Sequence, residues 1–253
     1  MSKNDQKNTG YICNKMKQFK LVDMRNRYPD LVEEARTTGM DYEEFLERLI
    51  RIEDDGKQRR RQERLKASAG FESDKSLEDI NYSFNPSLDK GKIDELSKLR
   101  FIDNSENVLI IGPPGVGKSM IATGIGLKAC NAGKKVLFVN AKEFLDRLCS
   151  AVTAGTLKEM LDALDKVHLL IIDELSYIKM DKERESLFFQ VIRRRYEKSS
   201  LIITTNLPVG RWSELFTDTL AATAILDRIL HHCHVISISG DSYRIKGKNN
   251  NIR

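Results

Sequence analysis

The residues best suited to chemistry form the run GPPGVGKS, which follows directly on an apolar stretch, residues 108–111. The run matches the pattern GxxxxGK[ST] and predicts a strand, a tight loop and a helix that begins near Lys118. In such a loop successive backbone N–H groups and the positive helix end point into one concavity that suits a polyphosphate. The lysine would contact the β- and γ-phosphates, and the serine hydroxyl would bind Mg²⁺. Rather than a glycine- and proline-rich turn without a ligand, we predict a nucleoside triphosphate site formed by Gly112, Pro113, Pro114, Gly115, Val116, Gly117, Lys118, Ser119 and Met120.

Two acidic residues end a later apolar run, LLIIDE, residues 169–174. Ligands of open α/β sheets bind at the carboxyl ends of the strands, which is where Asp173 and Glu174 fall. We predict that Asp173 holds Mg²⁺ and that Glu174 orients and deprotonates an attacking water, a role in hydrolysis. A pair of acids that caps a helix is the alternative, and the phosphate loop upstream argues against it.

The next apolar run, LIITTN, closes on Thr204, Thr205 and Asn206. An amide beside the acidic strand can hydrogen-bond the attacking water or the γ-phosphate. Asn206 also suits a turn before Leu207 and Pro208, so this element is weak by itself. As the third element in this order, it supports a catalytic role for Asn206.

Short apolar runs alternate with helical stretches in the second part of the chain, at residues 107–112, 135–140, 169–174, 201–206 and 234–238. This alternation indicates a buried parallel sheet covered by helices on both faces. Residues 11–66 read as helical instead, with an apolar stripe at Tyr42, Phe45, Leu46, Leu49 and Ile50. The run ASAGFESDKS is typical of a linker. We predict an α/β protein with a small all-helical N-terminal domain, residues 1–68, and a nucleotide-binding domain, residues 69–253.

The composition suits a protein that stays in the cytosol. Of 253 residues, 40% are hydrophobic and 31% charged. No apolar run reaches membrane-spanning length, and the start MSKNDQKNTG lacks the apolar core of a signal peptide. The four cysteines lack CxxC spacing, so neither disulfides nor a zinc site is expected. The run HHCH, residues 231–234, is expected to take ordinary packing and surface positions, because neighbouring residues point in different directions.

The net charge of +5 is weak evidence for a nucleic-acid partner, and its distribution says more. Residues 57–66 read KQRRRQERLK, Arg193 to Arg195 form a second basic cluster, and the tail KGKNNNIR is basic. Solvated helix faces explain each cluster about equally well, but together the clusters favour a polyanion. The candidates for DNA contact in the first cluster are Arg59, Arg60, Arg61 and Arg64.

Several segments, taken together, carry a family resemblance: GPPGVGKS, LLIIDELSY, FFQVIRRRYE, TTNLPVGRW, TAILDRILHH and GDSYRIK. They resemble the IstB family of AAA+ ATPases, ATP-dependent helper proteins of insertion-sequence transposition and relatives of the DnaC helicase loaders. The likeness covers nearly the whole chain, although Ser119 stands where threonine is commoner. It implies a AAA+ P-loop NTPase fold, ATP and Mg²⁺ as cofactors, and hydrolysis to ADP and phosphate. The implied partners are duplex DNA, the transposase of the same element and further copies of the chain, assembled by ATP into a ring or spiral.

The resemblance also implies roles for single residues. Arg228, in ILDR, matches an arginine finger that reaches the γ-phosphate of a neighbouring subunit, and Arg244, in SYR, matches a second sensor arginine. The alternatives are a salt bridge within the C-terminal helices for Arg228 and a surface strand position for Arg244. Related initiator ATPases grip DNA on the helices between the second and third strands. The basic residues of this chain in that region are Lys142, Arg147 and Lys158.

Three other functions stay open at this point. A DnaC-type helicase loader would dock its N-terminal domain on a replicative helicase and hold single-stranded DNA, so a preference for duplex DNA discriminates against it. A small-molecule or nucleotide kinase would carry a mobile arginine-rich lid and an acceptor pocket, where this chain has Glu174 and Asn206. A non-catalytic scaffold gated by ATP conflicts with the presence of every residue needed for hydrolysis.

Overall fold

The computed structural model describes residues 3–176, 180–240 and 242. The chain divides into two compact units, Met1–Arg64 and Leu65–Arg253. In the described part of the chain, no helix is both long and apolar enough to cross a membrane. The predicted functional division, with a partner- or DNA-binding domain over residues 1–68, stays a prediction.

The first unit is built from helices, as expected from the absence of strand alternation. The helices are α1 (Lys3–Gln18), α2 (Val22–Thr38) and α3 (Tyr42–Ala69), and the last five residues of α3 fall in the second unit. A buried carboxylate joins two of them, because Glu53 on α3 accepts the backbone N–H groups of Asp23 and Met24 at 2.9 and 3.0 Å. Both N–H groups belong to the first turn of α2, where backbone N–H groups have no acceptor within their own helix.

The apolar stripe predicted on α3 is not buried as a whole. Leu49 is 4% exposed and belongs to the core, whereas Tyr42, Leu46 and Ile50 are 95%, 56% and 54% exposed. The stripe lies at the edge of the packed face, because residues at i, i+4 and i+8 drift around the helix by about 40° at each step. The predicted helical spacing is therefore confirmed, and the structure adds that only part of this stripe is buried.

The second unit contains the predicted parallel sheet. Its strands are β1 (Asn107–Ile111), β2 (Val136–Asn140), β3 (Leu169–Asp173), β4 (Ser200–Thr205) and β5 (Cys233–Ser237). They are hydrogen-bonded in the order β2-β3-β4-β1-β5, and every pairing is parallel. The order places β4 between β3 and β1, so the residues that follow these three strands meet at one edge.

Helices cover both faces of this sheet. They are α4 (Lys90–Ser97), α5 (Arg100–Asp103), α6 (Lys118–Asn131), α7 (Ala141–Thr153), α8 (Leu157–Leu164), α9 (Lys182–Arg195) and α10 (Thr219–Leu230). The strands supply alternate residues to two cores: Leu170 and Ile172 pack with α7 to α10, and Leu169 and Ile171 pack with α4 to α6. The prediction of a purely apolar, doubly covered parallel sheet is confirmed.

The run expected to be a linker is packed into the second unit. Ala69 is fully buried, and the Phe71 ring lies 6.0 Å from the Phe138 ring. Gly70 between them has φ of +79°, a backbone conformation that suits glycine. The linker interpretation is therefore wrong, because an isolated aromatic side chain anchors this otherwise small and polar segment.

The basic cluster at residues 193–195 is largely structural. Arg195 is 1% exposed, and burial lowers the pKa of its guanidinium to about 10. Its guanidinium donates to the backbone carbonyls of Leu164, Val167 and Ser200. Arg194 forms ion pairs with Asp162 and Asp165. Two of these three arginines are thus committed within the fold, and the cluster gives little support to a polyanion partner.

Candidate nucleotide site

A cavity of about 730 Å³ lies at the carboxyl edge of the sheet. One wall is the loop between β1 and α6 together with Glu174, Ser176 and Asn206. The chain between Phe71 and α4 also lines the cavity, at residues 72–75, 79–81, 84, 85 and 88. The volume falls within the range typical of small-molecule sites.

The glycines of the loop fit the predicted phosphate cradle. Gly115 and Gly117 have φ values of +80° and +102°, in the region that side chains disfavour, and Gly117 is the N-cap of α6. A Cβ at Gly112 would lie 2.5 Å from the Ile238 carbonyl oxygen, so the loop also needs glycine to pack against the residue that follows β5. The helix begins at Lys118 as predicted, which leaves its first N–H groups directed at the cavity.

Lys118 is held at the mouth of this loop. Its side chain is buried, and Nζ donates to the carbonyl oxygens of Gly112 and Pro113, each at 2.8 Å. Ser119 and Met120 follow on the first turn and line the cavity, as do Pro114 and Val116. The cradle thus combines a buried ammonium, helix N–H groups and open volume, which together fit a triphosphate.

The two acidic residues at the end of β3 are organised by one threonine of β4. Thr204 donates its hydroxyl proton to Oδ1 of Asp173 and accepts the Glu174 N–H at 2.9 Å. Glu174 has φ of +60°, which costs a non-glycine residue about 1–2 kcal/mol. The Leu175 N–H donates to the Thr204 carbonyl at 2.9 Å and holds the turn from its other side. The turn presents Glu174 to the cavity.

The donors at this edge also fit Mg²⁺. Asp173 offers a carboxylate and Ser119 a hydroxyl, which are the oxygen ligands that Mg²⁺ prefers. Within the described residues, Oδ2 of Asp173 accepts no hydrogen bond, so it remains open to a cation.

Asn206 directly follows β4, beside the acidic turn. Its backbone N–H donates to Ser176 Oγ at 2.6 Å, and that hydroxyl lies 2.9 Å from Thr205 Oγ1. Asn206 lines the same cavity as Glu174 and Lys118. The structure therefore brings together the three elements that were predicted separately from the sequence.

Two contributors to the site were not predicted. Asn140, the last residue of β2, directs Nδ2 at Oε2 of Glu174 over 3.4 Å. Ser242 lies against Gly115, where a Cβ would overlap its hydroxyl. In the sequence Asn140 has only the signal of a helix N-cap, because the helical pattern starts directly after it. Neither contact could be read without the strand order.

Arg228 stands apart from this cavity in its own subunit. It is half-buried on α10, Nη1 donates to the Ala224 carbonyl at 2.8 Å, and the guanidinium carbon lies 5.1 Å from the centre of the Phe189 ring. No carboxylate in the described ranges lies within ion-pair distance of it, so the alternative of a salt bridge among the C-terminal helices finds no support there. Arg244 lies outside the described residues.

The predicted DNA contacts differ in how far they are committed within the fold. Arg60 bonds both Asp23 and Glu53, so it is a structural residue of the first unit, and its proposed contact with DNA is disfavoured. The Arg59 side chain is 67% exposed, and its Nη2 lies 3.4 Å from Oδ1 of Asp23. Arg61 and Arg64 are also exposed. The exposed basic residues on α7 and α8 are Lys142, Arg147 and Lys158.

The run at residues 231–234 does not converge on one point. His234 lies in β5, where Nε2 is 2.8 Å from Oε2 of Glu106. His231 and His232 approach Glu197 on the surface, with ligand atoms within 4.8 Å of one another. His234 therefore takes a packing position as expected, whereas the neighbouring His231 and His232 come together with Glu197, against the expectation that neighbours point apart.

Comparisons with known proteins agree with the geometry. The family model described as IstB-like ATP binding protein matches residues 14–251. An ATP-binding protein of insertion sequence IS21 from Pseudomonas aeruginosa is 38% identical over 233 residues, 92% of this chain and 88% of the relative.

Two solved structures have the same fold as the second unit. The crystal structure of DnaI matches with a TM-score of 0.55 and 23% identity over 65% of this chain and 91% of DnaI. AMPPCP-bound DnaA from Aquifex aeolicus matches with a TM-score of 0.55 and 17% identity over 73% of this chain and 57% of DnaA. At these identities the likeness establishes the fold, that of AAA+ P-loop ATPases. Because the family model spans most of the chain, the protein belongs to the IstB-like ATP-binding proteins of insertion sequences.

Proposed function

We propose that this protein binds ATP with Mg²⁺ in the cavity and hydrolyses it to ADP and phosphate. The observation that carries the proposal is the convergence of Lys118, Glu174 and Asn206 on one cavity. Mg²⁺, held by Ser119 and Asp173, would neutralise phosphate charge. Glu174 would hold the attacking water and take its proton at the carboxylate, while the Asn206 amide orients that water.

We further propose that the site is completed by a second subunit. Arg228 lies away from its own cavity, half-exposed and without a carboxylate partner in the described ranges. Phe189 and the Ala224 carbonyl fix its direction, which leaves the remaining guanidinium donors for phosphate oxygens of a neighbour. ATP would then join subunits into a ring or spiral. We propose the second-sensor role of Arg244 from the family match alone, since this residue lies outside the described ranges.

Assembly would create the surface for the partners. A subunit with a few exposed lysines binds DNA weakly, but linked subunits multiply the affinity. Lys142, Arg147 and Lys158 would form the contacts of such a track along duplex DNA. The helical first unit would engage the transposase of the same element, and hydrolysis would release the assembly. The similarity to insertion-sequence ATP-binding proteins supports this function over the others.

A DnaC-type loader of single-stranded DNA is the second candidate, and the fold likeness to DnaI favours it. The experiment that tests both is a mass measurement by light scattering with and without Mg-ATP, duplex DNA and a single strand of equal length. We expect ATP and duplex together to produce the largest assembly. A monomer under every condition contradicts the proposal, and assembly on the single strand alone supports the loader. The Lys118→Ala variant controls for dependence on bound ATP.

A further inference from the structure

We propose that Thr204 is a positioning residue for hydrolysis, because its hydroxyl fixes the Asp173 carboxylate and the Glu174 backbone at the same time. The inference rests on the proposed ATPase function and deepens it. From the sequence, Thr204 is predicted only to lie at the end of a strand. Its role depends on Asp173 of the neighbouring strand β3, which lies 31 residues earlier in the sequence.

The direction of these hydrogen bonds is fixed by chemistry. Thr204 is fully buried, and its hydroxyl carries one proton. An ionised carboxylate only accepts, so the proton points at Asp173 Oδ1, and the Glu174 N–H must donate to the hydroxyl oxygen. The result is a relay from the Glu174 amide through Thr204 to the Asp173 carboxylate. The Asp173 carboxylate and the Glu174 peptide group therefore cannot rotate without breaking a hydrogen bond to the buried Thr204 hydroxyl.

This relay has one consequence for each acidic residue. With Oδ1 of Asp173 engaged, the carboxylate presents Oδ2 in one direction only, which is the arrangement a cation ligand requires. Glu174 keeps its left-handed backbone because Thr204 binds the turn twice, through Oγ1 to the Glu174 N–H and through its carbonyl to the Leu175 N–H. That backbone conformation directs the Glu174 side chain into the cavity.

A matched control lies at the other end of the same strand. Ser200 is also fully buried, and its hydroxyl donates to the Phe101 carbonyl at 3.0 Å. Ser200→Ala therefore removes a buried hydroxyl of β4 without touching the acidic pair. Any loss caused merely by a weakened strand should appear in this variant as well.

The test compares Thr204→Val, which keeps the shape and removes the hydroxyl, with Thr204→Ser, which keeps the hydroxyl. The first readout is calorimetric ATP binding at a series of Mg²⁺ concentrations, since outer partners of metal ligands typically contribute about 10-fold or more in metal affinity. We expect Thr204→Val to raise the Mg²⁺ concentration for half-maximal ATP binding about 10-fold, and to lower kcat about 10- to 100-fold with a smaller change in KM. Thr204→Ser should keep the Mg²⁺ requirement and kcat close to the wild-type values. Ser200→Ala should change neither quantity.

Two outcomes are kept apart by this design. If the wild-type protein binds Mg-ATP but does not hydrolyse it, the proposed activity fails, and the Mg²⁺ readout still decides the role of Thr204. If Thr204→Val requires no more Mg²⁺ than Ser200→Ala, the positioning role is overturned. Should Thr204→Val fail to fold, Thr204→Cys, with a thiol that is a weaker donor, should show the same shift at smaller size. An unchanged Mg²⁺ requirement in a folded cysteine variant would equally overturn the proposal.

Discussion

The side-chain amide of Asn140 bridges Glu174 and the start of α7. Nδ2 lies 3.4 Å from Oε2 of Glu174, and Oδ1 accepts the Lys142 N–H at 3.0 Å as the N-cap of the helix. The helix so capped carries two of the residues proposed to contact DNA, Lys142 and Arg147. A displacement of α7 would therefore move the Asn140 side chain and, with it, the hydrogen bond to Glu174, the proposed general base.

Asn140→Asp separates the two bonds of this amide. A carboxylate still accepts from the Lys142 N–H and preserves the cap, but it repels Glu174 instead of donating to it. We predict a melting temperature close to that of the wild type and a kcat lowered about 10-fold. Asn140→Ala, which loses the cap as well, should also lose about 1 kcal/mol of stability. Steady-state hydrolysis and thermal melting of the two variants check this, and full activity of Asn140→Asp would contradict it.

Lys118→Ala should remove nucleotide binding. The ammonium is the one charge that the buried part of the loop brings to the phosphates, and the backbone N–H groups alone cannot replace it. Calorimetry should show ATP affinity reduced by at least about 100-fold. Lys128→Ala is the control on the same helix, since that lysine is half-buried, pairs with Glu78 at 3.3 Å and does not line the cavity. Equal affinities for the two variants would show that the loop is not the phosphate site.

Glu174→Gln should leave ATP bound while hydrolysis stops, because an amide cannot take a proton from water. We expect kcat to fall about 100- to 10,000-fold, and the DNA-bound assembly to persist. Glu143→Gln, an exposed glutamate on the first turn of α7, serves as the control. Turnover in the Glu174 variant near the wild-type rate would exclude Glu174 as the base.

The arginines of the first basic cluster should separate into two classes. Arg60→Ala should lower the melting temperature of the first unit, because Asp23 and the buried Glu53 lose their partner. Arg61→Ala and Arg64→Ala should cost much less stability, because both side chains are exposed and interactions between exposed charges contribute little. If this helix touches DNA, each should reduce the slope of log affinity against log salt by about one. Slopes that survive both changes would assign the run to a solvated face or a protein-docking surface.

The sequence predicted those parts of the site that depend on chain neighbours. The phosphate loop was readable because a strand, its glycines and Lys118 are consecutive, and the apolar runs announced a buried parallel sheet. The sequence did not predict the hydrogen bonds between residues of different strands. Thr204 meets Asp173, and Asn140 meets Glu174, only because β3 lies between β2 and β4. No periodicity within a single run carries the strand order.

Burial of isolated residues was equally hard to predict. Arg195 was read as part of a basic surface, but three backbone carbonyls satisfy it inside the fold. Phe71 was read as part of a linker, because one aromatic residue in a polar run has no period to detect. In both cases a tertiary contact overrides the local composition.

In the proposed assembly the ATP site is shared between subunits, with Arg228 supplied in trans. Arg228→Ala should bind ATP nearly as tightly as the wild type, because Lys118 remains, while hydrolysis and ATP-driven assembly fall. Arginine fingers elsewhere contribute about 10³- to 10⁵-fold in rate. Arg211→Ala, which removes an exposed arginine paired with Glu214, controls for the loss of a cation.

The most direct measurement is the ATPase rate of Arg228→Ala mixed with Glu174→Gln, both inactive alone. In mixed assemblies some interfaces join an intact Glu174 from one subunit to an intact Arg228 from the next, so we expect activity to return in part. Co-assembly of the two variants is verified by pull-down of differently tagged chains. A mixture that co-assembles but stays inactive would contradict the shared site and place the action of Arg228 within its own subunit.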